Sequence, residues 1–298
     1  MDATLNPGQN TIMRRVRTVV GLFKLRIGVV VMISALAGLA ITPGAALSSV
    51  QVLVLALSVL VASASAGAFN QYAERHVDHL MKRTAGRAFV TGALSDSRLW
   101  LLLMAVMLIG AVGAVWGAIN SLSALFVFLG AFFYAVVYTV WLKRRSAMNI
   151  VIGGLSGSFA VLAGGAAVDP ALGPLPLLLA LVLFLWTPPH FWSLAIANHA
   201  DYAAAGVPML PVVVGPERAA AIVFWSTLAL VLASLLPLAY GAGAIYGAGA
   251  LAGGTLFLHR AWVLMRRPGR GTAMRCFFAS MAQLSLLLLA AMLDAAMR

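Results

Sequence analysis

Nine stretches without a charged side chain recur along the sequence, at 27–46, 50–69, 99–119, 122–140, 149–168, 171–189, 219–239, 241–258 and 276–293, each of 17 or more residues. At about 1.5 Å per residue each can cross a hydrocarbon core of about 30 Å as a helix. The pattern predicts an all-α polytopic membrane protein with nine transmembrane helices. Composition agrees, because 62% of the 298 residues are hydrophobic and 9% charged, against about 25% charged in soluble domains. No fixed-period repeat and no Ser- or Gln-rich linker divides the chain, so residues 1–298 read as a single transmembrane domain. Residues 1–24 form its basic N-terminal arm.

The net charge of +12 would suggest nucleic acid in a soluble protein. Here the positions of Lys and Arg serve membrane orientation instead. They gather before the first apolar stretch (Arg14, Arg15, Arg17, Lys24, Arg26), after the second, and after the fourth, sixth and eighth; the intervening loops hold none, and only Arg298 falls on the other side. The N-terminus is therefore expected in the cytoplasm and the C-terminus outside. The polar start, running into basic residues, is unlike a cleaved signal peptide, and the first apolar helix is expected to act as an uncleaved insertion signal. A lone Cys276 excludes an internal disulfide and a cysteine metal cluster.

Only eight acidic residues occur in the chain, and two of them, Glu74 and Asp78, follow the second apolar run directly. On a continuing helix Asn70, Glu74 and Asp78 would share one face, spaced at i, i+4 and i+8. Two carboxylates about 6 Å apart repel by roughly 2–3 kcal/mol at an effective dielectric near 20. A divalent cation would remove that cost, and hard oxygen ligands suit Mg²⁺. The competing reading is a surface pairing of both acids with Arg75, Lys82 or Arg83. His76 would point away from the shared face and is unassigned. In the other long inward loop, about 195–218, Asp201 and Tyr202 follow the sequence WTPPHFW, whose Pro188 and Pro189 are expected to break the helix. Long polar loops on one side only place the working cavity on the cytoplasmic face.

The motifs NQYAERHVDHLMKRT at 70–84, YTVWLKRR at 138–145, NIVIGG at 149–154, WTPPHFWSLAI at 186–196, DYAAAGVPMLPVV at 201–213 and FFAS at 277–280 together resemble the protoheme IX farnesyltransferases, or heme o synthases. These are a branch of the UbiA-type intramembrane prenyltransferases. The resemblance runs from about residue 20 to 294. The family usually carries Asp at the position of Glu74, often a third Asp at that of His76, a bulky residue at Ala88, one or two prolines near 157–163, and a charged residue at Ala200. Loss of the middle carboxylate leaves the number of bound ions open.

The resemblance implies a UbiA-like bundle around a central cavity open to the cytoplasm, in a bacterial cytoplasmic (inner) membrane. It implies transfer of a farnesyl group from farnesyl diphosphate to a vinyl group of heme b, giving heme o. Asn70, Glu74, Asp78 and Asp201 would be the catalytic and Mg²⁺-binding residues. Arg83, Arg87, Tyr138, Lys143, His190 and Tyr202 would bind substrates, with Lys82 and Arg144 on the same side. His190 could ligate the heme iron or simply bond to a neighbouring helix, and both readings stand open. Tyr138 and Tyr202 could hold diphosphate or anchor the interface. Beyond the two substrates and the lipid bilayer, the implied partners are heme a synthase or a terminal oxidase under assembly; nucleic acid is not one.

Other functions fit parts of the pattern. An aromatic polyprenyltransferase acting on 4-hydroxybenzoate or a related acceptor generally carries two acids four residues apart in the second loop, where this chain has Asp201 and Ala205. A transporter would also use broken helices, yet no charge sits at the centre of any apolar run. A non-catalytic heme-binding assembly factor would tolerate the substitutions at 74, 76 and 200.

Overall fold

The computed structural model describes residue 16 and residues 18–298, and among them the chain is helical with no strand. Arg14, Arg15 and Arg17 of the basic arm lie outside the described residues. Helices α1 (Leu25–Ile41), α2 (Ser49–Glu74), α3 (Leu99–Ala118) and α4 (Ser121–Phe132) follow one another, and α4 runs on into a π-helical segment, Phe133–Leu142. Then come α5 (Asn149–Gly153), α6 (Leu155–Val168), α7 (Pro174–Ala197), the short α8 (His199–Ala204) and α9 (Leu210–Val214), and finally α10 (Pro216–Leu235), α11 (Ala244–Arg266) and α12 (Arg270–Ala296).

Seven of the described helical stretches are long and apolar enough to cross a membrane. Nine were expected from the uncharged runs, and the difference lies in α1 and α11. Helix α1 has 17 residues. In α11 a glycine-rich first half and the pair His259–Arg260 dilute the apolar character. Both nevertheless pack within the bundle, α1 against α2, α6 and α12, and α11 against α10 and α12.

The turns on the side opposite the long loops are closed by side chains that satisfy helix ends. Ser48 and Gln51 form a capping box at the start of α2, and the Gln51 amide donates to the Ala118 carbonyl at 2.9 Å. The Asn120 side-chain oxygen Oδ1 accepts from the Ser123 backbone N–H at 2.8 Å while its Nδ2 donates to the Ala166 carbonyl at 2.8 Å. On α3, Leu102, Val106, Ile109 and Trp116 are exposed along one stripe, as a lipid-facing surface requires.

Two expectations about local structure are corrected. Helix α2 does not continue to Asp78: it ends at Glu74, and Asp78–Leu80 forms a separate 3₁₀ turn. The stop is fixed by Arg75, which donates to the Tyr72 carbonyl at 2.7 Å, and by Thr84, whose hydroxyl donates to the Asp78 carbonyl at 2.7 Å. Nor do Pro188 and Pro189 break α7, which is continuous over 24 residues. Both prolines are buried against neighbouring helices, and packing of this kind sustains proline in membrane helices.

One core joins α1, α2, α3, α4 and α6, and a second joins α7, α10, α11 and α12 with contributions from α1 and α6. Helices α1 and α6 therefore form the seam between them. At this seam a Cβ on Gly164 would overlap the Ala35 carbonyl oxygen, and one on Gly38 would overlap that of Val161. Small residues here set the approach of the two halves. Gly164→Ala is expected to destabilise the protein by about 1–3 kcal/mol or more. Gly157→Ala, on the same helix with nothing within 4 Å of the added carbon, should be neutral or slightly stabilising. Thermal unfolding in detergent compares the two, and equal melting temperatures would remove the seam from this role.

Candidate active site

The polar cluster forms where α2 ends. Asn70 and Glu74 lie one turn apart on its last two turns, and the amide of Asn70 donates to Glu74 Oε2 at 3.1 Å and to Thr139 Oγ1 at 3.0 Å. The wide turns of the π-helical segment carry Tyr134, Tyr138 and Thr139 towards α2 and end beside Lys143, whose backbone N–H donates to the Tyr138 carbonyl at 2.9 Å. The Lys143 ammonium pairs with Glu74 Oε1. Arg87, returning from the loop, places NH1 at 3.4 Å from Glu74 Oε2 and 2.5 Å from Asp78 Oδ2. Asn70, Glu74, Asp78 and Lys143 are all buried.

This geometry overturns the surface-pairing reading of the two acids. Their partners are Arg87 and Lys143; Arg75 pairs instead with Asp96 at 2.9 Å and lies over the Tyr72 ring. Burial pushes the Asp78 carboxyl above its ordinary value, and Arg87 offsets this only in part. Asp78 Oδ1 is buried with no hydrogen-bond partner.

Lys24 belongs to the same cluster. Its ammonium donates to Asn70 Oδ1 at 2.7 Å and to Tyr134 OH at 3.0 Å. Desolvation, reinforced by Arg87, lowers its pKa to about 7. In the sequence Lys24 reads only as a charge of the basic arm, and nothing there marks Thr139 or Asn149, whose amide donates to the Lys143 carbonyl at 3.2 Å.

The second loop meets the first through Arg83, whose NH2 lies 3.5 Å from Tyr202 OH. Asp201, beside Tyr202, is half-buried. Among the described residues no three acidic, His or Cys side chains gather into one metal-binding group, so Asp201 does not join Glu74 and Asp78 in a single carboxylate set. His190 lies apart from the cluster, stacked between Trp186 and Phe277 at ring distances of 4.1 and 4.5 Å. Its Nδ1 is 2.6 Å from Ser280 Oγ, and that hydroxyl donates to the Phe277 carbonyl. The network thus assigns the proton to Nδ1 and the lone pair to Nε2. The bond to a neighbouring helix, one of the two readings of His190, is present.

The donor set fits a divalent ion on chemical grounds. It offers two carboxylates and an amide oxygen, all hard ligands, and one of the carboxylate oxygens is unsatisfied. Lys143 and Arg87 presently neutralise the acids. An open groove of about 290 Å³ with almost wholly apolar walls runs between α2, α3 and α4, lined by Ala66, Phe69, Met104, Leu108, Ala131 and Ala135 among others, with Phe128, Phe132 and Val136 exposed along it and none of the cluster residues in its walls. Ala66 lies one turn before Asn70 on α2, and Ala135 follows Tyr134.

The structure is that of a polytopic helical membrane protein in which buried carboxylates and cations gather at the ends of the spans. The model of the UbiA prenyltransferase family matches residues 31–287, and the chain belongs to that family. It is a prenyltransferase.

The chain is 54% identical over 278 residues to protoheme IX farnesyltransferase 2 of Paramagnetospirillum magneticum, covering 93% of this chain and 96% of that protein. It is 45% identical over 279 residues to protoheme IX farnesyltransferase 1 of the same organism, covering 93% and 98%. The fold matches the structure of a digeranylgeranylglyceryl phosphate synthase with a TM-score of 0.79 at 18% identity over 96% of this chain and all of that one. A UbiA homologue from Archaeoglobus fulgidus bound to DMAPP and Mg²⁺ matches with a TM-score of 0.67 at 17% identity over 92% and 98%.

Removing one partner from a buried ion pair strands the other. Arg87→Met should therefore destabilise the protein by about 3–5 kcal/mol, and adding Asp78→Asn should restore part of the loss. Thermal unfolding of the single and double variants measures the coupling, and strict additivity would mean that the pair is not energetically linked.

Proposed function

We propose that the chain is a heme o synthase, transferring farnesyl from farnesyl diphosphate to a vinyl group of heme b and releasing diphosphate. The observation that carries this reading is the 54% identity, over nearly the full length of both chains, to a protein named protoheme IX farnesyltransferase. The buried cluster of carboxylates and cations agrees with it.

In the proposed reaction the C–O bond of the donor breaks and its electron pair leaves with the diphosphate. The allylic carbon then accepts the π pair of the vinyl group, forming the new C–C bond, and the cation left on the vinyl carbon next to the ring takes up water and loses a proton. Mg²⁺ held by Asn70, Glu74 and Asp78, with a second metal contact at Asp201 across the bound diphosphate, would supply Lewis-acid neutralisation of the leaving group. With the acids engaged by the metal, Lys143 and Arg87, which now pair with them, would be able to donate to diphosphate oxygens. Arg83, Tyr202 and Tyr138 border the same space and would orient the head group. The apolar groove that reaches Ala66, one turn before Asn70 on α2, would suit the farnesyl tail, and burial of the carboxylates would keep water from the allylic cation until attack. His190 presents Nε2 for the acceptor porphyrin.

The further assignments follow the charge pattern. The one-domain chain sits in a bacterial inner membrane with α1 and α11 also spanning, the N-terminus in the cytoplasm and the C-terminus outside. Heme a synthase or an assembling terminal oxidase would receive the product.

Conversion of heme b to heme o in membranes supplied with farnesyl diphosphate tests the reaction directly, and failure of the unsubstituted protein to make heme o would refute it. Within that assay Asp78→Ala and Asp201→Ala should abolish turnover. Glu74→Gln should raise the Mg²⁺ requirement and slow turnover about a hundredfold, as expected for loss of about 3 kcal/mol in the transition state. Glu74→Asp should be tolerated far better. A rate within about threefold of the parent for Glu74→Gln at every Mg²⁺ concentration would remove Glu74 from the metal site, since that corresponds to less than about 1 kcal/mol.

Topology has its own measurement. Cys276 is buried and gives a quiet background for thiol labelling. Cysteines at Ala46 and Tyr240, both exposed, should label from outside, and one at Ala203 should not. The reverse pattern would invert the orientation.

A further inference from the structure

Residues 266–275 carry a charge that no protein group balances. Arg266 ends α11 and Arg270 begins α12, with Arg267 in the turn between them and Arg275 farther along α12. All four are exposed, and among the described residues none of them forms an ion pair. No acid lies nearby in sequence either, since none occurs between Glu217 and Asp294. Several other cations are placed differently: Arg75 pairs with Asp96, Arg87 with Glu74 and Asp78, Lys143 with Glu74, and Arg298 with Asp294. The orientation rule accounts for basic residues in a short loop. It does not say what offsets the mutual repulsion of four guanidinium groups gathered in so short a segment.

Their position narrows the choice of counter-charge. Only residues 267–269 separate the two helices; α12 is long and apolar enough to cross a membrane, and α11 packs along it. The guanidinium groups therefore stay at the level where the helices leave the hydrocarbon core. From there towards the middle of each helix the surface is apolar. On α11 the Arg266 guanidinium lies 5.5 Å from the centre of the Trp262 ring, which is 45% exposed and packed edge-on by Phe224 at 5.4 Å. On α12 Phe278 and Met281 are exposed in the turns after Arg275. Tryptophan sits well at the head-group level, and clusters of basic residues at the end of a membrane helix attract anionic head groups. Guanidinium also matches phosphate in shape, donating two parallel hydrogen bonds.

We propose that the α11–α12 turn is a binding surface for anionic phospholipid, with Arg266, Arg267, Arg270 and Arg275 holding the phosphodiester and the apolar flanks of the two helices taking the acyl chains. The surface shares no residue with the carboxylate cluster, and the inference is independent of the reaction the enzyme performs.

Native mass spectrometry of the full-length protein in detergent, with phosphatidylglycerol or phosphatidylcholine of equal chain length added, reads the retained lipid directly. The parent should retain phosphatidylglycerol about tenfold or more over phosphatidylcholine. Arg266→Gln, Arg267→Gln, Arg270→Gln and Arg275→Gln combined should bring that ratio close to one. Arg144→Gln with Arg145→Gln, which removes an exposed basic pair from another loop, should leave the ratio within about threefold of the parent.

Because the same arginines help to orient the helices, a second measurement uses the unsubstituted protein. Phosphatidylglycerol should protect the four arginines from a dicarbonyl reagent, read by peptide mass spectrometry, and phosphatidylcholine should not; Arg144 and Arg145 should react alike in both lipids. The proposal fails if the fourfold variant keeps the parent's preference, if the Arg144 and Arg145 variant loses it equally, or if the reagent modifies the four arginines to the same extent in both lipids. Displacement of the lipid by inorganic phosphate at equal concentration would mark a site for a free anion and overturn the lipid assignment. A protein that shows the preference yet makes no heme o would refute the proposed reaction and leave this inference standing.

Discussion

The constraint on which the site depends is the cost of holding Glu74 and Asp78 out of water. An unpaired buried carboxylate would be untenable at this depth, so each acid dictates a cation within contact: Lys143 for Glu74, and Arg87 for both. Those cations come from different elements, one from the end of the π-helical segment and one from the loop before α3. Electrostatic pairing therefore does structural work as well as chemical work. It ties the end of α2 to the end of the fourth span and folds the 75–98 loop back over both.

The same requirement explains why irregular backbone gathers here. The 3₁₀ turn at Asp78, the π-helical turns over Phe133–Leu142 and the left-handed Lys24 all border the cluster, whereas the seam between α1 and α6 is built of regular helix and glycine. The seam fixes how closely the two halves of the bundle approach. The irregular ends bring a few polar groups together where α2 and the π-helical segment meet. This division is favourable, because close helix packing tolerates little deviation while an adjustable charge cluster can exchange partners.

What could be read from the sequence followed the contrast between rare charges and long apolar runs. Glu74 and Asp78 stood out because acids are scarce and these two end an apolar stretch. Lys24 did not, since a lysine near the start of the first helix also satisfies the orientation rule, and position alone cannot separate the two causes. The π-helical segment was equally hidden: FYAVVYTVWL is apolar on every side, so no periodicity distinguishes wide turns from ordinary ones. Reading Asn70, Glu74 and Asp78 as one continuous helical face reached the right neighbourhood by the wrong path. The helix stops at Glu74, and Asp78 is brought back to it by Arg87. Pro188 and Pro189 misled because proline's local effect was weighed without the tertiary packing that holds α7 together.

Glu74 illustrates how side-chain reach and backbone geometry are matched. Its two oxygens contact different cations, Oε1 meeting Lys143 and Oε2 meeting Arg87, while Asn70 also donates to Oε2. An aspartate on the same helical turn would have one methylene less with which to reach the π-helical segment. For this backbone the longer acid spans the gap, and the lysine and arginine at its ends set the limits within which a bound cation could replace them. The identity of residue 74 is thus coupled to the widened turns opposite it. A change at either place is expected to be felt at the other through the Lys143 contact.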